Sequence, residues 1–385
     1  MILSIGTIVA PDRNISPGFV IVEHGRVVRV GAGEPPSGRA DNVLRFPDGT
    51  LIPGMIDLQV NGGASVDCSR CVPEEYDVLG RYLAGTGVTA YLPTIISAPL
   101  EDMRRSAETA VAAMGRRGGL PEILGVHLEG PYLNPLRRGA HQAQDLRHPS
   151  VPEILETLRR LRGAVRVVTL APELEGAQPV VRALAAQGVV PAVGHTDADY
   201  DEVRAAAQWG ARLVTHVFNA MRGLHHREPG AAGGALLTRS LVLSVIADGI
   251  HVHPAVVGLI ARVAGTGRVA LITDAISGAG MERGSFTLGG RPVEVRDGVP
   301  RLPDGTLAGS VLRMNRAVRN FADAAEVGLR EAVQSATLVP ARLLGLARKG
   351  QIVEGCDADL VVLDREGAVF LTLVAGQVVY ARHGV

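Results

Sequence analysis

Aromatic side chains are scarce in this chain: one Trp, six Tyr and six Phe among 385 residues. Apolar residues still reach 46%, so a large core must be built mainly from Val, Leu, Ile and Ala. Net charge is absent too. The 39 Lys and Arg balance 39 Asp and Glu, which argues against a chain-wide nucleic-acid or membrane-surface role but leaves room for a local anion site. Cysteines number three, a count that fits a reducing cytoplasm. Cys68 and Cys71 form a C-x-x-C, but with a distant Cys356 they cannot complete a four-cysteine zinc site. They read as ordinary reduced thiols. No apolar run approaches the roughly 20 residues of a membrane span. The opening MILSIGTIVAPDR has no basic n-region and no long apolar stretch, so no signal peptide is expected.

What is present is an alternation. Apolar β-type runs at 51–60, 88–94, 123–129, 165–170, 189–195, 212–217, 241–247 and 269–274 are separated by amphipathic or Ala/Leu/Arg-rich stretches, among them 100–117, 152–162, 176–187 and 199–209. Strands alternating with helices imply a parallel sheet, and eight such units imply closure into a (β/α)₈ barrel. The connection at 219–240 reads as long and irregular, 285–305 as an inserted hairpin, and 313–345 as a helical tail. The two ends differ from the middle. Residues 1–50 and 346–385 hold short β-patterned runs, with hairpin turns at His24-Gly25 and Ala375-Gly376. Strands at each end that lack a partner sheet should pair with each other. The expected fold is therefore α/β: a TIM-like barrel over 51–345 plus a small β-sandwich built from 1–50 and 346–385.

Four of the barrel runs end in groups suited to metal or acid–base chemistry: GVHLE at Glu129, PAVGH at His195, LVTH at His216 and ALITD at Asp274. A (β/α)₈ barrel gathers side chains from different strand ends into one site. Two imidazoles and a carboxylate suit a borderline divalent ion such as zinc or ferrous iron, with one position left open. Asp274 is then free for proton transfer. A polar residue at one strand end is unremarkable by itself; four at four ends of one barrel are harder to obtain by chance. His127 shares a strand face with Glu129 and reads as a packed core histidine. His225 and His226 lack the spacing at which two imidazoles converge and read as loop residues.

The runs PGMIDLQVNGG (53–63), HLEGPYLNPLRRGAHQ (127–142), VGHTDA (193–198), THVFNAM (215–221), ADGIHV (247–252) and TDAISGAG (273–280) resemble the N-acetylglucosamine-6-phosphate deacetylase family of the amidohydrolase superfamily. The resemblance covers nearly the whole chain. It implies a metal-dependent barrel in which Glu129, His195 and His216 hold one divalent ion, with Zn²⁺ the first expectation and Fe²⁺ a second. It implies Asp274 as general acid–base and His141 as donor to the acetyl oxygen. Ala140, His141, Asn219, Ala220, Asp248, Gly249, Ile250, His251, Leu307, Ala308 and Gly309 are implied to line the substrate site. Arg227 and His251 are implied to hold a 6-phosphate, with Arg227 reaching across a homodimer interface. Glu173 is implied at the pocket rim. Many superfamily members carry His-x-His on the first strand for a second metal. Here Gln59 and Asn61 stand there, and amides are poor transition-metal ligands, so one ion is expected.

Three readings follow. The first is a cytoplasmic enzyme of amino-sugar catabolism that deacetylates N-acetylglucosamine 6-phosphate, a small phosphorylated sugar, with no nucleic-acid or membrane partner. The second changes the substrate to N-acetylgalactosamine 6-phosphate or a related acylamino sugar phosphate. The third is a non-catalytic barrel acting as a binding protein, which requires a lost ligand or a lost Asp274.

Overall fold

A computed structural model describes residues 1–36, 43–114, 119–281 and 283–382. Eight parallel strands form the barrel: β1 (Met55–Val60), β2 (Val88–Ile96), β3 (Val126–Glu129), β4 (Val165–Leu170), β5 (Val190–Val193), β6 (Leu213–Val214), β7 (Val242–Val245) and β8 (Val269–Leu271). Each pairs with the next in sequence. The ring closes where β1 meets the residues after β8: Val60 bridges Ala275, and the Asp274 N–H donates to Gln59 O at 2.9 Å. Every residue of β2 is buried. Continuous apolar strands are what a parallel sheet covered by helices requires.

Helices pack outside the strands and keep close through small residues. Helix Leu100–Met114 buries Met103, Ala107 and Ala110, so the shortage of aromatics is met by Ala-lined approach between helix and sheet. Residues 115–117 of the helix expected over 100–117 lie outside the described residues. Helix Tyr200–Trp209 starts on a capping box, Asp199 with Glu202, which stabilises a helix start by about 1 kcal/mol. This sharp start keeps the connection after His195 short.

Strands from the two chain ends share one continuous sheet, in the order Gln377–Ala381, Val369–Val374, Leu360–Leu363, Val43–Pro53, Ile2–Val9, Gly18–Glu23, Arg26–Ala32. Alternate residues such as Leu3, Ile5, Val20, Val22, Leu360, Val362, Leu371 and Leu373 enclose a core of their own. The hairpin turns fall where expected. His24 and Gly25 have φ of 49° and 75°, and Ala375 and Gly376 have 46° and 75°. Two successive left-handed residues match the twist of paired strands. The tips also abut, since a Cβ on Gly25 would sit 3.0 Å from Ala375 O.

The structure corrects several expectations. The 219–240 connection is not wholly irregular but carries helix Gly230–Leu237, whose Ala and Gly residues pack deep in the protein. The insertion after β8 is a three-stranded antiparallel sheet, Gly284–Leu288, Arg291–Arg296 and Val299–Arg301, rather than a hairpin. The strand expected over 123–129 is split at Gly125, where φ is 139° and a Cβ would lie 2.4 Å from Ala164 O. The tail forms three helices, Met314–Ala325, Leu329–Ala336 and Leu338–Leu343. No helix among the described residues is long and apolar enough to cross a membrane.

Candidate metal and acid–base site

The site lies where the barrel strands end. Glu129 is the last residue of β3. His195, His216 and Asp274 lie two or three residues beyond β5, β6 and β8, not inside them as the apolar runs suggested. All three adopt left-handed backbone, with φ of 49°, 32° and 50°. That conformation costs of order 1–3 kcal/mol at a residue with a side chain and concentrates at functional sites. Here the bend turns each side chain over the barrel mouth.

The imidazoles converge on one carboxylate oxygen. Glu129 Oε1 lies 3.3 Å from His195 Nε2 and 3.0 Å from His216 Nε2, and the two nitrogens are 3.1 Å apart. Ligand atoms about 2.0–2.1 Å from a tetrahedral ion stand roughly 3.3 Å from one another, so the donor set fits a divalent ion in spacing as well as in chemistry. His195 Nδ1 lies 2.9 Å from the Arg137 carbonyl. A carbonyl only accepts, so Nδ1 carries the proton and the Nε2 lone pair faces the cluster, as a ligand needs.

His141 also comes within 4.8 Å of Glu129 and His195, but its tautomer sets it apart. The Ser97 N–H donates to His141 Nδ1 at 3.3 Å. The neutral ring then bears its proton on Nε2, which faces Glu129 Oε2 at 3.8 Å. A protonated Nε2 is a donor and not a ligand. Burial, then His195, pushes the His141 imidazole down to about 3, which keeps it neutral. His127 is spent below the site: Nε2 lies 2.7 Å from Thr169 Oγ1 and Nδ1 3.2 Å from Leu58 O.

Gln59 and Asn61 face the two carboxylates. Gln59 Nε2 donates to Glu129 Oε1 at 2.9 Å and to Asp274 Oδ1 at 3.1 Å. Asn61 Nδ2 donates to the same Asp274 oxygen. The second oxygen of Asp274 is left for other partners. Burial, then the charge of Glu129, pushes the Asp274 carboxyl up to about 6. Burial would raise Glu129 as well, but the His195 and His216 imidazoles facing it outweigh burial and hold that carboxyl well below the usual range. Two nearby carboxylates are driven apart in acidity, a pattern that separates a ligand from an acid–base group.

A cavity of about 370 Å³ opens above these residues, lined by Asn61, Glu129, Ala140, His141, His195, His216, Asn219, Ala220, His251, Asp274, Leu307 and Gly309, with Ile96, Ile246 and Leu288 among its apolar walls. Asp248 does not line it but fixes His251: Oδ2 accepts from Nδ1 at 2.7 Å and Oδ1 from the backbone N–H groups of Ile250 and His251. Gly249 and Ile250 are exposed and Ala308 is buried in a separate apolar cluster, so these three fall outside the lining. Arg227 is exposed, as are His225 and His226, and none of them reaches this cavity. Glu173 lies behind the rim, where it accepts from Asn134 Nδ2, Thr196 Oγ1 and the Asp197 N–H.

Sequence reasoning missed Arg137. Arg137 lines the cavity, and its side chain pairs with Asp197 at 2.8 Å, while Asp197 also binds Arg222 at 2.6 Å. The Leu-Arg-Arg run was visible, but a loop's path over the barrel mouth is not encoded in periodicity. Ser97, which fixes the His141 tautomer, left no signal beyond its place just after β2.

An eight-stranded parallel barrel with a carboxylate–imidazole cluster and a separate, less acidic aspartate at its C-terminal mouth defines a hydrolase of the metal-dependent barrel type. A sequence model of the Amidohydrolase family matches residues 50–379, and the chain belongs to that family. Within it, the chain is 40% identical over 345 residues to the N-acetylglucosamine-6-phosphate deacetylase of Bos taurus, covering 86% of this chain and 83% of that one. It is also 40% identical over 315 residues to the N-acetylgalactosamine-6-phosphate deacetylase of Escherichia coli O157:H7, covering 82% and 83%. Among solved structures, a variant of N-acetyl-D-glucosamine-6-phosphate deacetylase from Mycobacterium smegmatis, in complex with N-acetyl-D-glucosamine-6-phosphate, superimposes with a TM-score of 0.93 at 36% identity over 99% of both chains. The Thermotoga maritima enzyme gives 0.90 at 34% identity over 99% of this chain and 100% of that chain.

Proposed function

We propose that this chain deacetylates N-acetyl-D-glucosamine 6-phosphate, giving D-glucosamine 6-phosphate and acetate in amino-sugar catabolism. The observation that carries this reading is the division of labour at the barrel mouth: three convergent donor atoms at 3.0–3.3 Å and a distinct aspartate facing the same cavity. The binding-protein reading is set aside because neither a donor nor Asp274 is missing.

Glu129, His195 and His216 would hold one divalent ion, with zinc first and ferrous iron second. Such an ion polarises a carbonyl and lowers the pKa of water. His141 donates a hydrogen bond from Nε2 to the acetyl oxygen and stabilises the charge that develops there. Asp274 takes the proton from the attacking water and delivers it to the amine nitrogen as the C–N bond breaks. Asn61 and Gln59 keep one Asp274 oxygen engaged throughout. His251, fixed by Asp248, faces the cavity beside Asn219 and Ala220 and meets the sugar phosphate.

Arg227 is exposed and does not line its own cavity. Its guanidinium fork suits a phosphate, so we assign it to the neighbouring site of a homodimer. Three free cysteines accord with a cytoplasmic enzyme. Relatives named for the gluco and galacto substrates both match at 40% identity, so the test must include both epimers. Acetate release is measured from each sugar with and without the 6-phosphate, together with metal content per chain. Turnover of the gluco 6-phosphate above the others supports the reading. A preference for the galacto epimer replaces the substrate, and no acetate release from any sugar removes the function.

A further inference from the structure

The backbone of Asp274 is held at φ 50° by a set of hydrogen bonds that trace back to a carboxylate outside the cavity. The Asp274 N–H donates to Gln59 O at 2.9 Å and its carbonyl accepts from the Ser310 N–H at 2.8 Å. Just before it stands Thr273. Its hydroxyl oxygen accepts from the Ala275 N–H at 3.2 Å, and its own carbonyl accepts from Ser310 Oγ. Thr273 in turn is held by Asp57: its N–H reaches Oδ1 at 3.2 Å and its hydroxyl donates to Oδ2 at 2.6 Å. The Gln59 N–H also donates to Asp57 Oδ1, at 3.2 Å.

Asp57 is fully buried on β1. Burial pushes its carboxyl up to about 7, opposed by hydrogen bonds from Thr273 and Gln59, and no cation is among the described groups that act on it most. A buried carboxylate without a cation is costly, and an apolar residue would suit a barrel strand better. The cost falls on a residue that ties the strand bearing Gln59 and Asn61 to Thr273, next to Asp274. Gly309 completes the clamp, because a Cβ there would lie 2.7 Å from Asp274 O.

We propose that Asp57 is a positioning residue for the reaction: through Thr273 it holds the strained backbone of Asp274 in register with Gln59 and Asn61, so that one oxygen of Asp274 stays on the amides and the other faces the reacting water. This rests on Asp274 being the acid–base group.

The test uses Thr273→Val and Thr273→Ser in the metal-loaded enzyme. Valine keeps the shape and removes the hydroxyl; serine restores it. Misplacing a reacting group by about 1 Å costs on the order of 100-fold. Thr273→Val is therefore expected to lower kcat by roughly 10- to 100-fold at nearly unchanged KM, with metal content per chain preserved. Thr273→Ser should return most of the loss. Asp57→Asn should also retain most activity, since its oxygen can still accept both backbone N–H groups while its amide donates to Thr273 Oγ1. Native kcat in Thr273→Val, a loss that merely follows lost metal, or no recovery in Thr273→Ser overturns the proposal. Asp274→Asn runs alongside. If that variant keeps near-native turnover, the acid–base reading itself falls. If it is inactive while Thr273→Val is fully active, only the positioning role falls.

Discussion

Asn61 Nδ2 lies 2.6 Å from Asp274 Oδ1, and the same oxygen also accepts from Gln59 Nε2 at 3.1 Å. Where many superfamily members carry metal-binding histidines, this chain places two neutral donors on the carboxylate we propose as its acid–base group. Donors to a carboxylate favour its charged form. Asp274 is raised to about 6 by burial and by Glu129, and the Asn61 hydrogen bond opposes that rise. The base must be ionised to take a proton, so kcat/KM should fall as pH drops through its pKa. A bound cation pulls that pKa lower, so the acid limb is expected at or below about 6. Asn61→Leu removes one opposing donor and should move the limb to higher pH. A pH–rate profile whose limb stays fixed, or moves down, contradicts this account of the amides.

Asp274→Asn keeps the size of the side chain and removes its basicity. Proton transfer of this kind contributes about 10²–10⁴-fold, and kcat should fall by that order. The three donor atoms of Glu129, His195 and His216 meet without Asp274, so metal content per chain should remain near native. Single-turnover kinetics and elemental analysis on one preparation check both halves. A variant that loses its metal as well would make Asp274 a ligand.

The barrel and four of its site residues were legible because each sits at the end of a continuous apolar run, and position at a strand end is a one-dimensional signal. Glu129 needed nothing more. His195, His216 and Asp274 also end such runs, but the runs suggest extended backbone up to the histidine or aspartate, whereas the strands stop earlier and the chain bends to positive φ. Apolar periodicity carries no information on that bend. Arg137, Ser97 and Thr273 were illegible because their roles depend on loops brought together by closure. Thr273 and Asp57 are 216 residues apart. Ala308 differs from its neighbours: Leu307 and Gly309 line the cavity while the Ala308 side chain is buried in an apolar cluster, a difference that sequence position alone does not show.

Arg227 offers a test of assembly that activity alone cannot give. Alone, Arg227→Ala should raise KM for the 6-phosphate and leave a non-phosphorylated analogue nearly untouched. Co-expressed with Asp274→Asn, it should form mixed dimers if the chain pairs as proposed. If Arg227 serves the neighbouring subunit, the subunit with intact Asp274 receives Arg227 from its partner, and about one site in four regains both groups. If Arg227 acted within its own chain, no site in the mixture would be whole. High-affinity turnover reappearing only in the co-expressed sample is the expected outcome.

Lys349 fastens the end sheet to the barrel. Its Nζ lies 2.7 Å from Asp359 Oδ2, 2.7 Å from Glu122 Oε2 and 3.4 Å from Asp357 Oδ2. Asp359 is buried beside Leu360–Leu363, accepts the Ala375 N–H at 2.8 Å, and offers its carbonyl to the Gly54 N–H at 2.8 Å, just before β1. Removing one partner of a buried pair leaves an uncompensated charge and costs roughly 3–5 kcal/mol. Lys349→Met should therefore lower Tm markedly while kcat at low temperature is unchanged, because the Glu129–His195–His216 cluster and Asp274 do not touch this junction. Burial already raises the Asp359 carboxyl above its ordinary value, and Lys349 opposes the rise. Without the lysine the folded-state pKa climbs further above the unfolded one. The penalty of the variant is then fully felt at neutral pH and shrinks as pH falls towards the unfolded value, where Asp359 is protonated in both states. The Tm gap between native and variant protein should narrow on acidification. A gap that stays constant or widens would show that the loss comes from packing and not from the stranded carboxylate.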